Sequence, residues 1–220
     1  MLYIIATSIG NLEDITLRAL RVLGEADFIL AEDTRKTSFL LKHFNINKKV
    51  ISFYEHNEVK KISWVIEELK SGKNIALVSS AGTPTISDPG YKLIRECRNN
   101  LIELTSLPGP SSIINALSLT SLAHEKFIFL GYAPRKKGRF KKMLEKVKDL
   151  EAAIIFLESP FRLLSSLKVL KEILGNRKIA CAREMTKKFE EILELNIESA
   201  VDHFEKTKPR GEFTLIIDRL

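Results

Sequence analysis

The sequence has few of the residues from which metal centres and disulfide frameworks are built. It contains two cysteines and four histidines in 220 residues. Cys97 and Cys181 are far apart and form no CxxC pair, which is typical of a protein from a reducing compartment. The histidines are scattered without ligand spacing, at His43, His56, His124 and His203. We therefore expect no metal site and a cytoplasmic location.

Long apolar runs are also absent. No stretch approaches the ~20 consecutive apolar residues that span a bilayer, and MLYIIATS at the N-terminus lacks the basic region and cleavage site of a signal peptide. We therefore expect a first strand there and no membrane partner. The composition, 45% hydrophobic and 29% charged, is that of a globular protein. Its 220 residues suffice for one large domain or two small ones.

The net charge of +7 is concentrated in one segment. Residues 134–142, called the basic segment below, contain six cationic side chains, and the next acidic residue is Glu145. The six are Arg135, Lys136, Lys137, Arg139, Lys141 and Lys142. A local basic patch favours a polyanionic partner. A solvated helix start is the alternative interpretation.

Short apolar runs alternate with amphipathic patterns through the first half of the chain. They predict strands at 2–6, 28–31, 50–53, 75–78 and 101–107, with helices between them, the first capped by Asp14. This alternation predicts a parallel, doubly wound α/β sheet. The sequence LPGPSS at 107–112 interrupts the pattern, and a second α/β half follows, in which a basic helix is predicted at 138–150. We expect domains at 1–116 and 117–220.

The most informative stretch is NIALVSSAGTPTISDPG, residues 74–90. A buried strand is predicted to end at Val78, and a loop of small and turn-forming residues follows it. Open α/β sheets bind ligands at such carboxyl ends, and Gly82 and Gly90 allow the backbone to approach a ligand closely. An ordinary strand-to-helix connection is the alternative, but most of these are about 2–6 residues long. The length of the loop favours a ligand site.

Eight sequence blocks occur in an order that resembles one known family. They are IATSIGNLEDITLRAL, AEDTRKT, YEHNE, ALVSSAGTPTISDPGY, LPGPSS, ESPFR, AREMTKKFEE and KPRGEF. They resemble the ribosomal RNA small subunit methyltransferase I family of the tetrapyrrole-methylase superfamily. The resemblance implies a homodimer of two-domain α/β chains, with a mixed sheet in the second domain and S-adenosyl-L-methionine in the cleft between the domains. It also implies methylation of the ribose 2′-hydroxyl of one cytidine in the decoding region of small-subunit ribosomal RNA, free or in the assembled subunit.

The sequence departs from the family pattern at three places. Ser80 stands where the family usually has Asp in VSDAGTP, and Thr85 where it has Gly in GTPGISDPG. Many members also continue past the last strand with a small helical tail, whereas this sequence ends at Leu220. The first two changes bear on contacts with the cofactor, and the third bears on the grip on RNA.

The resemblance implies a cofactor site built from loops at strand ends. Carried over by position, its residues are Ile9, Gly10, Ser80, Ala81, Gly82, Thr83, Ser111, Ser112, Ile113, Leu157, Ala182, Gly211, Glu212 and Phe213. Transfer of a sulfonium methyl group is an in-line displacement, so alignment of donor and acceptor supplies much of the catalysis.

A ribose hydroxyl is a weak nucleophile, so a base within hydrogen-bond reach should assist its reaction. The candidate bases are Glu32, Asp33 and Asp88. Each carboxylate has an alternative role as a helix cap or ion-pair partner, and for Asp88 a turn role is an equal alternative. Besides the basic segment, the candidates for contacts with RNA phosphates are Arg35, Arg162 and Arg183.

Two other functions fit parts of the pattern. A methyltransferase of the same superfamily acting on a corrin-type small molecule or a modified histidine would share the fold and the cofactor loops. The basic segment and the AEDTR and PRGEF blocks favour the RNA enzyme over it. A non-catalytic, RNA-binding ribosome-assembly factor with a decayed cofactor site would account for Ser80 and Thr85.

Overall fold

The computed structural model describes residues 1–122 and 125–219. The chain forms two compact units, Met1–Ser111 and Ser112–Leu220, and each contains one five-stranded sheet. No helix in the described ranges is both long and apolar enough to cross a membrane.

The sheet of the first unit is fully parallel. Its strands are β1 (Leu2–Ile5), β2 (Phe28–Ala31), β3 (Val50–Ser52), β4 (Ile75–Val78) and β5 (Leu104–Leu107). They lie in the order β3-β2-β4-β1-β5. The helices that connect them are α1 (Leu17–Glu25), α2 (Thr34–His43), α3 (Glu58–Lys70) and α4 (Tyr91–Asn99). Because β1 pairs with both β4 and β5, the loops that follow these three strands start side by side.

Both faces of this sheet are buried, as parallel sheets require. On one face, Leu23 of α1 and Leu40 of α2 share a core with Ile29 of β2. On the other face, Ile66 of α3 shares a second core with Leu30. Ile29 and Leu30 are consecutive residues whose side chains enter opposite cores, which is the two-residue period of a strand. The predicted doubly wound sheet is confirmed.

The second unit contains the mixed sheet. Its strands are β6 (Phe127–Tyr132), β7 (Ala153–Glu158), β8 (Lys178–Arg183), β9 (Glu191–Asn196) and β10 (Phe213–Ile217). The order is β6-β7-β10-β8-β9, in which β6 and β7 are parallel and the other neighbours antiparallel. Its helices are α5 (Ser112–Ser118), α6 (Lys137–Glu145), α7 (Leu163–Leu174) and α8 (Ile197–Lys206).

One face of this sheet packs on α6, α7 and α8. The ring of Phe140 from α6 lies 5.5 Å from that of Phe156, and the ring of Phe204 from α8 lies 5.7 Å from that of Phe213. Both pairs are T-shaped, which is a favourable arrangement for aromatic rings in a core. α5 contacts β10, so this helix belongs with the second unit. The two compact units divide between Ser111 and Ser112, and the domain bounds 1–116 and 117–220 stay a prediction.

Several elements differ from the sequence-based prediction, among them β5, which begins at Leu104 rather than at residue 101. The patterns do not predict β9, an edge strand paired with β8 alone, whose sequence EILELN mixes charged and apolar residues as solvent-exposed edges do. α1 begins at Leu17, and its cap is the Thr16 hydroxyl, which accepts from the N–H of Ala19 at 3.1 Å; the prediction of Asp14 as cap is wrong. The basic helix ends at Glu145 rather than at residue 150.

Candidate functional site

Three loops meet at the carboxyl edge of the first sheet, after β1, β4 and β5. Thr7 and Gly82 exchange two backbone hydrogen bonds of 2.9 and 3.1 Å, which join the β1 and β4 loops. The hydroxyl of Thr83 donates to the carbonyl of Pro110 at 3.5 Å, which joins the β4 and β5 loops. The predicted cofactor residues of the first unit lie on these three loops: Ile9, Gly10, Ser80, Ala81, Gly82, Thr83 and Ser111.

Small residues allow the three loops to approach one another. A Cβ atom on Gly109 would lie 2.9 Å from the Cβ of Ala6, closer than side chains tolerate, and one on Gly82 would lie 3.4 Å from Cγ2 of Ile9. Gly82 also has a φ of 74°, in the left-handed region that favours glycine. A side chain at position 109 would therefore clash with the β1 loop, whereas at position 82 it is the backbone conformation that favours glycine.

Two of the three candidate bases lie at the β4 loop: Glu32 contacts it and Asp88 is part of it. Glu32 follows β2, and its Oε2 accepts a hydrogen bond of 2.9 Å from the N–H of Ser80. Burial, aided by the negative charge of Glu32, raises the pKa of Asp88 from 3.8 to about 7, while a hydrogen bond from Ser79 opposes the rise. A carboxyl group with a pKa near neutrality is suited to act as a general base.

Asp88 lies in a segment of constrained backbone. Thr85 and Ser87 have φ angles of 73° and 67°, which are uncommon for residues with a side chain and most strained for a β-branched one. Thr85 replaces the glycine of the family pattern, so this chain carries strain where glycine would carry none. On the other side of Asp88, Gly90 has a φ of 119°, and a Cβ on it would lie 2.7 Å from Cδ2 of Leu77.

Sequence reasoning missed Glu58, which holds the end of this segment. Glu58 is only 4% exposed. Its Oε2 accepts a hydrogen bond of 3.1 Å from the N–H of Gly90, and its Oε1 lies 2.9 Å from Nζ of Lys92. The residue lies in the YEHNE block, but a glutamate at a helix start ordinarily faces solvent. The sequence therefore contains no local signal that Glu58 is buried.

The third candidate base, Asp33, is the N-cap of α2. Its Oδ1 accepts hydrogen bonds from the backbone N–H groups of Arg35 at 2.9 Å and Lys36 at 3.3 Å. These bonds, with that of Lys36 the stronger influence, lower the pKa of Asp33. A carboxylate that is stabilised in its charged form is a weaker proton acceptor. The Arg35 side chain is 91% exposed, 3.5 Å from Oδ2 of Asp33.

The predicted cofactor residues of the second unit divide between two faces of its sheet. Thr214 of β10 pairs with Leu157 of β7 on one side and with Ala182 of β8 on the other. The preceding residue, Phe213, points to the opposite face and belongs to the helix-covered core, where it is 2% exposed. α5 begins at the half-buried Ser112, and its next residue, Ile113, is buried.

The AREMTKKFEE and KPRGEF blocks meet in a cluster of charges. Nζ of Lys187 lies 3.0 Å from Oε1 of Glu184 and 3.0 Å from Oε2 of Glu212. The backbone N–H of Glu212 also donates to Glu184 at 3.0 Å. Gly211 has a φ of 82°, and a Cβ on it would lie 2.6 Å from Cδ of Glu184. Glu212 therefore joins the two loops, and Gly211 permits their contact.

Two of the arginines predicted to contact phosphate have partners within the second unit. Arg162 places Nη2 2.6 Å from Oε1 of the buried Glu158 and donates from Nη1 to the carbonyl of Ala133 at 2.8 Å. Nε of Arg183 lies 3.1 Å from Oε2 of Glu191. The contacts of Arg162 occupy both of its Nη atoms and favour a structural role for it over phosphate binding.

The basic segment begins α6, and two of its six cations are paired. Lys141 forms an ion pair with Glu172 of α7, and Nζ of Lys137 lies 4.0 Å from the other oxygen of Glu172. The hydrogen bond from Lys141 lowers the pKa of Glu172. The expectation of six uncompensated charges is therefore wrong for these two lysines, since their partner lies on another helix. The remaining four side chains are exposed: Arg135, Lys136, Arg139 and Lys142.

The two thiols are buried and protonated. Cys97 and Cys181 are both free, and burial raises the pKa of Cys97 to about 11 and that of Cys181 to about 12. Within residues 1–122 and 125–219, no three His, Cys, Asp or Glu side chains are grouped so that they could hold a metal ion. His124 lies outside the described residues.

The fold matches that of a known class of enzymes. The model of the family described as Tetrapyrrole (Corrin/Porphyrin) Methylases matches residues 1–201. The crystal structure of uroporphyrin-III C-methyltransferase from Thermus thermophilus, complexed with S-adenosylhomocysteine, has a TM-score of 0.68 and 16% sequence identity. The likeness covers 99% of this chain and 96% of that chain, and at this identity it concerns the fold alone.

Two relatives extend the likeness to the sequence. The chain is 48% identical over 216 residues to Ribosomal RNA small subunit methyltransferase I of Thermotoga maritima, covering 98% of this chain and 97% of that protein. It is 45% identical over 217 residues to the protein of the same name from Halalkalibacterium halodurans, covering 99% and 75%. The chain thus belongs to the tetrapyrrole methylase family, in the branch of ribosomal RNA small subunit methyltransferase I.

The substitution Asp88→Asn tests the environment of this carboxyl group. Because its pKa is about 7 in the native state against an ordinary 3.8, the native state binds the proton more tightly than the unfolded state does. The stabilisation from protonated Asp88 is complete below its ordinary pKa of 3.8 and is lost as the pH rises through its native pKa of about 7. The free energy of unfolding of the wild type minus that of Asp88→Asn should therefore fall across this interval in urea titrations.

Asp33→Asn is the matched control, since asparagine is also a good N-cap. The lowered pKa of Asp33 gives a contribution of opposite sign, present above its ordinary value of 3.8 and lost as the pH falls. The difference in free energy of unfolding between the wild type and Asp33→Asn should be constant from mildly acidic to neutral pH. A constant difference for Asp88→Asn over the same range would contradict the raised pKa.

Proposed function

We propose that this chain is an S-adenosyl-L-methionine-dependent methyltransferase of the small ribosomal subunit RNA. The observation that carries the proposal is the 48% identity to a protein named for that activity, over 98% of this chain and 97% of the relative. The four exposed cations of the basic segment support an RNA substrate over a corrin-type one. The S-adenosylhomocysteine bound by a protein of the same fold supports the cofactor.

The finer proposal is methylation of the ribose 2′-hydroxyl of a cytidine in the decoding region. The methyl group leaves the sulfonium and bonds to the ribose oxygen, whose proton passes to a base, and the donor becomes the neutral thioether. We assign the base to Asp88, whose pKa of about 7 matches the task. Glu32 supports it through its negative charge, and Asp33 caps α2. The choice of cytidine and of the decoding region rests on the family resemblance.

The cofactor site of this proposal includes the three loops of the first sheet. Gly109 permits the close approach of the β1 and β5 loops at the edge where open α/β sheets bind ligands. Ser80 presents a hydroxyl in place of the usual carboxylate, and its N–H is held by Glu32. In the second unit, the family resemblance adds the apolar residues Leu157, Ala182 and Ile113 as cofactor contacts. When bound, the cofactor supplies the methyl group and its sulfonium leaving group.

We also propose that the chain forms a homodimer, as the resembled family does. Two apolar side chains flank the contact between Glu58 and Gly90. Val59 is 62% exposed and Tyr91 is 67% exposed. Burial of such apolar surface against a second copy would be favourable.

The function is tested by methyl transfer to small ribosomal subunits from cells that lack this activity. With labelled S-adenosyl-L-methionine, one cytidine should be modified and should resist alkaline cleavage, because its 2′-hydroxyl is blocked. Asp88→Asn should reduce the rate about 10²–10⁴-fold if Asp88 is the general base, whereas Asp33→Asn should retain most of it. A label on a base would contradict the ribose assignment. Cofactor binding without any transfer would favour the assembly-factor alternative.

The cofactor site is tested by Ser112→Trp. The indole would fill the space beside the first turn of α5, so calorimetric titration with S-adenosyl-L-methionine should show no binding. Ser118→Trp is the matched control, because Ser118 is exposed at the far end of the same helix. Equal affinities for the two variants would place the cofactor elsewhere.

The RNA contacts are tested by replacing Arg135, Lys136, Arg139 and Lys142 with serine. If all four bind phosphates, the slope of log affinity against log salt should lose roughly 0.7 per contact, about 3 in total. Cofactor affinity should not change. The control replaces four exposed lysines elsewhere: Lys42, Lys49, Lys60 and Lys206. An unchanged slope in the first variant, or an equal loss in both, would leave the basic segment as a solvated helix start.

A further inference from the structure

Phe161 leaves nearly its whole ring in water. Its side chain lies in the ESPFR block between β7 and α7 and is 93% exposed. Because apolar groups stabilise a fold only when they are removed from water, this ring contributes nothing to the core. Such an exposed aromatic ring is available to a binding partner.

The loop that carries Phe161 is fixed against the loop that begins the basic segment. β6 and β7 are parallel neighbours, so the loops that follow them leave the sheet at the same edge. Arg162, the residue after Phe161, donates from Nη1 to the carbonyl of Ala133 at 2.8 Å. Nη2 of Arg162 lies 2.6 Å from Oε1 of Glu158, whose side chain is fully buried. Arg162 thereby holds the two loops together.

Cationic side chains follow Ala133 in the connection between β6 and α6 and in the first turn of α6. They are Arg135, Lys136 and Arg139, and all three are exposed. Before them, Tyr132 ends β6 with 56% of its surface exposed. Exposed aromatic rings among cations are the means by which proteins bind single-stranded RNA, since the rings stack on bases and the cations bind phosphates.

We propose that Phe161 stacks on an unpaired base of the RNA substrate, with Arg135 and Lys136 on the phosphates beside that base. Arg162 is a positioning residue that holds the ring at this place. The assignment rests on the proposed function, which supplies the RNA. A second copy of the chain fits the surface less well, because a two-fold interface centred on Phe161 would bring Arg135 and Lys136 of both copies together.

The proposal is tested with the full chain and a single-stranded RNA oligonucleotide that carries 2-aminopurine, a base whose fluorescence is quenched by stacking. The wild type should quench it, and Phe161→Ala should bind about 5- to 100-fold more weakly, with little quenching. Phe161→Trp should restore both. The salt dependence of binding should be the same in all three chains, since no phosphate contact changes.

Phe127→Ala is the matched control, because Phe127 is also an exposed phenylalanine, 44% accessible, but lies at the opposite end of β6. It should bind as the wild type does. An oligonucleotide with abasic sites should bind the wild type and Phe161→Ala equally, because the base that the ring contacts is missing.

Several results would overturn the inference. Equal binding by Phe161→Ala and the wild type, or no binding of the oligonucleotide by the wild type, would exclude stacking on an unpaired base. Methyl transfer to small subunits by that same wild type would leave the proposed function standing. If sedimentation shows that the wild type is a dimer and Phe161→Ala a monomer, and the RNA affinity is unchanged, the ring belongs to an interface between copies instead.

Discussion

The two backbone hydrogen bonds between Thr7 and Gly82 are the contact on which the arrangement of the first unit's edge depends. Both faces of a doubly wound sheet are covered by helices, so polar chemistry is confined to the loops beyond its strands. Here β1 lies between β4 and β5, and the Thr7–Gly82 contact fixes its loop against the central one. The absence of a side chain at Gly109 then allows the third loop to lie against the β1 loop. The carboxylates that follow β2 and β4 acquire their surroundings from this packing.

Those surroundings give different pKa values to carboxyl groups that are chemically alike. Asp33 accepts hydrogen bonds from a helix start, which stabilise its charge and lower its pKa. Asp88 is partly buried and lies near the charge of Glu32, which raises its pKa. Pairs of carboxyl groups driven apart in this way commonly divide the labour of proton transfer. In this chain the environment, rather than the residue type, distinguishes the proposed base from the helix cap.

The sequence predicts those parts of the fold that depend on local periodicity. The apolar runs at 28–31 and 75–78 correspond to the observed strands because each pattern lies within one element. The partners of charged residues depend instead on contacts between distant segments. Glu172 pairs with Lys141 from another helix, and Glu58 is buried by a loop that follows it by a whole helix and strand. Arg162 likewise has the motif of a phosphate ligand but the contacts of a structural residue. The neighbouring sequence does not predict burial or pairing of this kind, because the partners come from distant segments.

The register of β8 determines which face of the sheet carries the thiol of Cys181. A sulfonium methyl donor is an alkylating agent, and thiolates are among the nucleophiles it can modify. Cys181 directly precedes Ala182, which we propose to contact the donor, yet the alternation of the strand turns the sulfur into the opposite, helix-covered core. There burial keeps it protonated, with a pKa of about 12, and only the thiolate is strongly nucleophilic. A shift of one residue in β8 would exchange the two side chains and bring the sulfur to the face that carries Ala182. The pairing of β8 with β10 therefore keeps the thiol on the helix-covered face of the sheet.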